Sequence, residues 1–156
     1  MSQRPSFGVT RLSAADKILI GASVLLLIDS FLPWQRECVS SASPPLTVCL
    51  GTRSAWNGDG AFAGVLMGLF AALLIIGELA ALSERPLPVT IPPSTLAGGF
   101  TAGTVLFGLI KFLFVLPNHP KLWAWVGLGL VVAISYGGFM KMHEQRAAPP
   151  ASGFTG

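Results

Sequence analysis

Charged side chains are scarce. They make up 11% of the 156 residues, against about 25% in an ordinary soluble domain. A disordered chain would instead be charge-rich and poor in apolar residues, so that class is excluded. The net charge of +3 does not indicate nucleic acid, because the ten Lys and Arg are scattered and form no phosphate-binding stripe. Cysteine is limited to Cys38 and Cys49, and histidine to His119 and His143. Neither a CxxC redox motif nor a zinc pattern can be drawn from these four. In an oxidising compartment the two cysteines are expected to form one disulfide.

The motifs of common enzymes are also missing. There is no HExxH, no GxxxxGK[ST] and no GxGxxG following a strand. Gly127-Leu128-Gly129 lies inside an apolar run rather than in a dinucleotide loop. No paired histidines in the apolar runs suggest haem, and no Ser, His and acid cluster presents itself. The expectation is a non-enzymatic protein without cofactor or metal.

What is abundant is apolar surface. Hydrophobic residues reach 52% and the mean hydropathy is +0.67. They sit in four blocks, each near the ~20 residues that cross a bilayer. Only helices or closed barrels can cross, because lipid offers backbone groups no partners, and runs this continuous are not alternating barrel strands. The expected fold is an all-α, four-helix transmembrane bundle with spans at about 14–32, 60–82, 96–116 and 122–140. Ser13-Ala14-Ala15-Asp16 fits a capping box for the first helix, and Asp59 is a plausible N-cap for the second. Residues 1–13 read as a cytoplasmic N-terminus, and 33–59 as a polar outer loop. Four prolines at 86, 88, 92 and 93 make the second linker extended. Residues 141–156 read as a disordered cytoplasmic tail. The first apolar run resembles a signal peptide in layout, but Asp29 interrupts it and Pro33-Trp34 closes it, which favours a retained signal anchor.

Orientation follows from Lys and Arg. With the N-terminus inside, six lie on inner segments (Arg4, Arg11, Lys17, Arg85, Lys141, Arg146) and three on outer ones (Arg36, Arg53, Lys121). The positive-inside rule then favours both termini in the cytoplasm. The same topology puts both cysteines outside. It also gathers Trp34, Trp56, Trp123 and Trp125 at the outer interface as anchors.

Three ionisable residues lie deep in the spans: Asp29, Glu78 and Lys111. Each costs about 2.5–3.5 kcal/mol on insertion scales and so needs a partner or a role. Asp29 and Lys111 fall at similar depth, which suggests an ion pair between the first and third helices. Glu78 could bond Tyr136 or reach the inner interface. Thr101, Thr104, Gly108 and Lys111 share one face of the third helix, either buried against the first helix or lining a water path. Small residues at four-residue spacing allow close helix packing: Gly60, Gly64 and Gly68, then Gly99 and Gly103, then Gly129, Ala133 and Gly137.

Phe31-Leu32-Pro33-Trp34 and Ser54-Ala55-Trp56-Asn57-Gly58, with Asp16-Lys17 before the first helix, resemble the small, mostly uncharacterised four-helix membrane proteins of actinobacteria. The resemblance covers about residues 13–82 through short motifs. It implies a bacterial plasma-membrane location and no activity. The layout of Trp34, Cys38 and Cys49 is also similar to the first extracellular loop of claudin-type proteins. The Gly-Leu-Trp before the first cysteine is absent here, so that likeness reads as convergent. The functional expectation is an accessory or scaffold component that contacts membrane lipid and binds other membrane proteins or itself. The alternative is a small oligomeric transporter or channel using Asp29, Glu78 and Lys111.

Overall fold

A computed structural model of the chain describes residues 12–42, 45–82 and 93–147. It contains four helices and a two-stranded sheet: α1 (Ala14–Ser30), β1 (Gln35–Ala42), β2 (Pro45–Arg53), α2 (Ala61–Leu82), α3 (Pro93–Val115) and α4 (Leu122–Ala147). The N-terminal segment to residue 11, most of the proline-rich linker (83–92) and the end of the tail (148–156) lie outside the described residues.

α1 starts where its capping box predicts. The Ser13 hydroxyl accepts from the Asp16 N–H at 3.2 Å, and the Asp16 carboxylate accepts from the Ser13 N–H at 3.2 Å. Two of the helix's orphan donors are thereby satisfied. Its buried residues are Ala15, Leu19, Ala22, Ser23, Leu26, Asp29 and Ser30, the three-and-four spacing of one helical face. The opposite face carries Val24, Leu25 and Ile28, all exposed. The other helices repeat this arrangement, with apolar side chains such as Leu69, Leu106, Leu113, Val132 and Phe139 pointing outward. An exterior as apolar as the core is stable in lipid and a liability in water.

Three helices are long and apolar enough to cross a membrane: Ala61–Ala81, Thr95–Val115 and Leu122–Glu144, with mean hydropathies of 2.2, 1.7 and 1.6. α1, at 17 residues, is only about 25 Å long. Around the bundle, α1 packs on α2 and α4, and α3 packs on α2 and α4. α1 and α3 are therefore diagonal. The core joins Leu19 and Leu26 of α1, Met67 and Leu74 of α2, Phe112 and Val115 of α3, and Val131 and Ile134 of α4.

Two expectations are corrected. The fold is mostly helical rather than all-α, because the expected polar loop between the first two helices folds into a hairpin. β1 and β2 are antiparallel, pairing Gln35 with Arg53, Cys38 with Cys49 and Val39 with Val48. The register shifts at Glu37/Cys38, so Leu50 is the extra residue of a bulge in β2. Second, the expected disordered tail is helical as far as Ala147, because Lys141 reaches back into the bundle.

Candidate functional site

The polar groups of the molecule gather at its two ends. At the hairpin end the organising residue is Trp34, which is fully buried. Its main chain splices three segments together. Its N–H donates to the Arg53 carbonyl at 2.9 Å, and its carbonyl accepts from the Lys121 N–H at 2.8 Å. Beside it the Ala55 N–H donates to the Ser30 carbonyl at 3.0 Å, and Gln35 bridges to Pro120. The indole N–H donates to the Asp29 main-chain oxygen at 3.0 Å and to Asp29 Oδ2 at 3.1 Å. Trp34 was expected to anchor at the lipid interface. It instead plugs the bundle, with its ring against Gly127 of α4, where a Cβ would collide with it.

The expected Asp29–Lys111 ion pair does not form. Their depths match, but α1 and α3 stand on opposite corners of the bundle. Lys111 Nζ donates to the Asp59 carbonyl at 2.6 Å and to the Asn57 carbonyl at 3.4 Å. The buried ammonium thus satisfies the carbonyls of the turn that leads into α2. Asp59 does not cap α2 with its carboxylate, which accepts from Asn118 Nδ2 at 2.9 Å and so ties that turn to the α3–α4 connection. Among the described residues, left-handed backbone is confined to this end, at His119 (φ 52°), Gly58 (φ 81°) and Gly60 (φ 67°). These left-handed conformations suit the glycines and are uncommon for histidine.

Trp56 lies half-buried, its indole N–H donating to Ser30 Oγ at 2.9 Å and its ring tilted against Phe31. Trp123 and Trp125 are exposed at the start of α4. Trp125 meets Phe112 edge-on at 5.0 Å. Cys38 and Cys49 are joined in a disulfide across the hairpin. Glu37 and Arg53 form an exposed ion pair at 2.5 Å, and Arg53 holds the Glu37 carboxyl below the usual carboxylate range.

The opposite end is organised by Lys141. Its ammonium pairs with Glu78 of α2 and, at 3.0 Å, with Asp16 of α1. One cation on α4 thereby ties three helices together. Tyr136 is not the partner of Glu78 and is exposed.

Running inward from Lys111 at the hairpin end, Gly108, Thr104 and Thr101 are buried with it on one face of α3. The two threonine hydroxyls donate to the Ala97 and Phe100 carbonyls of their own helix at 2.8 and 2.9 Å. That face meets α2 and α4, where Gly108 abuts Met67 and Val131, and not α1 as expected.

The glycine series divide by neighbour. Gly60, Gly64 and Gly68 do not meet a helix backbone. They accommodate Phe114, the Ala55 carbonyl and the Trp56 ring. Gly103 lies against Phe70 of α2, and Gly137 against Ile18 and Leu19 of α1. Gly99 and Gly129 face open space, with nothing within 4 Å of an added Cβ, so they are not packing sites in this chain. Gly108, Gly127 and Gly138 are close-approach positions that spacing alone did not single out. Among the described residues no group of three or more His, Cys, Asp or Glu is placed to hold a metal.

Comparison with protein-family models, curated proteins and solved structures finds no match to this chain.

Proposed function

We propose that this chain is a non-enzymatic, multi-pass protein of a bacterial plasma membrane, an accessory or scaffold component that binds other membrane proteins through its hairpin end. Both termini lie in the cytoplasm under this reading, and the hairpin faces outward. The carrying observation is the way the hairpin is presented. Its base is bonded to the ends of α1 and the α3–α4 turn, and its strands are cross-linked. Yet it exposes Val39, Val48 and the bulged Leu50, the last with 82% of its surface free. A rigid element displaying apolar side chains is a low-entropy binding surface.

The transporter alternative draws less support. Glu78 and Lys111 occupy opposite ends of the bundle, about 25–30 Å apart along α2, and each is engaged by local partners. Leu26, Met67, Leu74, Val131 and Ile134 lie in the core between those ends.

The test is site-specific photocrosslinking in native membranes. A photoreactive amino acid at Leu50 should give discrete adducts with a protein partner or a second copy. The same probe at Leu106, on the outward face of α3, should give lipid adducts only. Lipid adducts alone from both positions would refute the scaffold reading.

A further inference from the structure

A groove of about 570 Å³ opens at the hairpin end, lined by Arg36, His119, Lys121, Leu122 and Trp123 together with Pro33 and Pro120. Arg36 and Lys121 also line a neighbouring groove of about 390 Å³ under the bulge. Two distant parts of the sequence build this place. The bond from the Lys121 N–H to the Trp34 carbonyl, and the bridge between Gln35 and Pro120, set the start of β1 beside the α3–α4 turn.

The electrostatics of this end are unbalanced. Of its three acids among the described residues, Asp29 is buried beneath the Trp34 indole, Glu37 is engaged by Arg53 and Asp59 by Asn118. Among the described residues, neither Arg36 nor Lys121 forms an ion pair with a carboxylate. On the membrane side of these cations, Leu122 and Trp123 are exposed at the head of an apolar helix. Two unneutralised cations above exposed apolar side chains match a molecule with an anionic phosphate at one end and acyl chains at the other.

We infer that this groove binds an anionic phospholipid of the leaflet at the hairpin end, with Arg36 and Lys121 on the phosphate and Leu122 and Trp123 along the upper acyl chain. The inference rests on the membrane reading above. It adds a specific lipid to the general lipid contact that any spanning helix makes.

The test uses the full chain purified in mild detergent. It is offered equimolar phosphatidylglycerol and phosphatidylcholine with identical acyl chains, and retained lipid is read by native mass spectrometry. Wild type and Arg146→Gln, an exposed change at the other end, should both retain phosphatidylglycerol about tenfold over phosphatidylcholine, and Arg36→Gln with Lys121→Gln should bring the ratio near one. The single change Lys121→Gln should fall between. The preference should also shrink with added salt. Equal retention by wild type, or an unchanged preference in the double variant, overturns the inference. Displacement of the lipid by millimolar inorganic phosphate overturns the lipid as ligand in favour of a free anion. Vesicle flotation after a carbonate wash separates the two readings. A chain stripped from vesicles refutes the membrane reading and this inference with it. A chain that floats but shows no headgroup preference refutes this inference alone.

Discussion

Replacing Trp34 by Phe keeps an aromatic ring in the plug and removes the indole N–H together with part of the ring volume. In the native chain that N–H serves two acceptors on Asp29, the main-chain oxygen and Oδ2. The second carboxylate oxygen, Oδ1, is buried without a hydrogen-bond partner. Trp34→Phe therefore leaves a buried carboxyl with no side-chain donor. Losing a bond to such a group is worth about 1.5–3 kcal/mol. Removing both members of a buried polar pair costs less than removing one, so the same change made alongside Asp29→Leu should cost little beyond the packing lost with the smaller ring. The double-mutant cycle should then show a coupling of at least about 1 kcal/mol. The assay is thermal unfolding of the four proteins in detergent, at one scan rate, read by size-exclusion fluorescence. Strictly additive shifts in the four midpoints would refute the reasoning, because they would mean that Trp34 stabilises by bulk alone. Trp34→Ala provides the outer bound. It should lose about 3–5 kcal/mol from the cavity and should loosen the hairpin base to proteolysis.

Further outcomes follow from the same geometry. Gly64→Val should destabilise strongly, by about 3 kcal/mol or more, because its Cβ would fall on the Ala55 carbonyl oxygen. Gly129→Val, which faces open space, should leave the midpoint within about 0.5 kcal/mol of wild type. Lys111→Met removes the donor to the Asp59 and Asn57 carbonyls. It should increase hydrogen exchange in residues 54–60 while leaving the 14–30 helix unchanged; faster exchange in that helix would revive the discarded pairing with Asp29. At the hairpin surface, Arg53 lowers the affinity of Glu37 for its proton. The stabilisation is therefore complete at neutral pH and is lost as pH falls through that lowered value. The unfolding midpoints of wild type and Glu37→Gln should converge in acid, and a gap that widened on acidification would contradict this sign.

The helices were legible because each is a continuous apolar run, and Ser13 and Asp16 mark the first start. The hairpin was obscured by Pro44-Pro45 and the serines, which read as loop. A signal was nonetheless present. Cys38 and Cys49 are equidistant from residues 43 and 44, as partners across a hairpin centred there must be. β-branched Val39 and Val48 follow the same symmetry. Depth along a helix can be read from a sequence, but the order of helices around the bundle cannot. That is why Asp29 and Lys111 looked like a pair. Glycine spacing shows where a backbone allows close approach, but the neighbour at Gly64 is a loop carbonyl that no helical period announces. Lys141 reads as the start of a tail because the segment it opens is rich in Ala, Pro and Gly. Its partners, Asp16 and Glu78, lie on the first two helices, far away in the chain.

The splice at Trp34 also has a meaning in time. Its carbonyl waits for the N–H of Lys121, and the Asp59 carboxylate waits for the side-chain amide of Asn118. During synthesis the base of the hairpin is therefore left with open valences until the α3–α4 turn has been made. A polypeptide stopped at the end of α3 would lack both donors and the Gly127 surface against the Trp34 ring, and its unpaired acceptors and bare tryptophan would mark an unfinished copy.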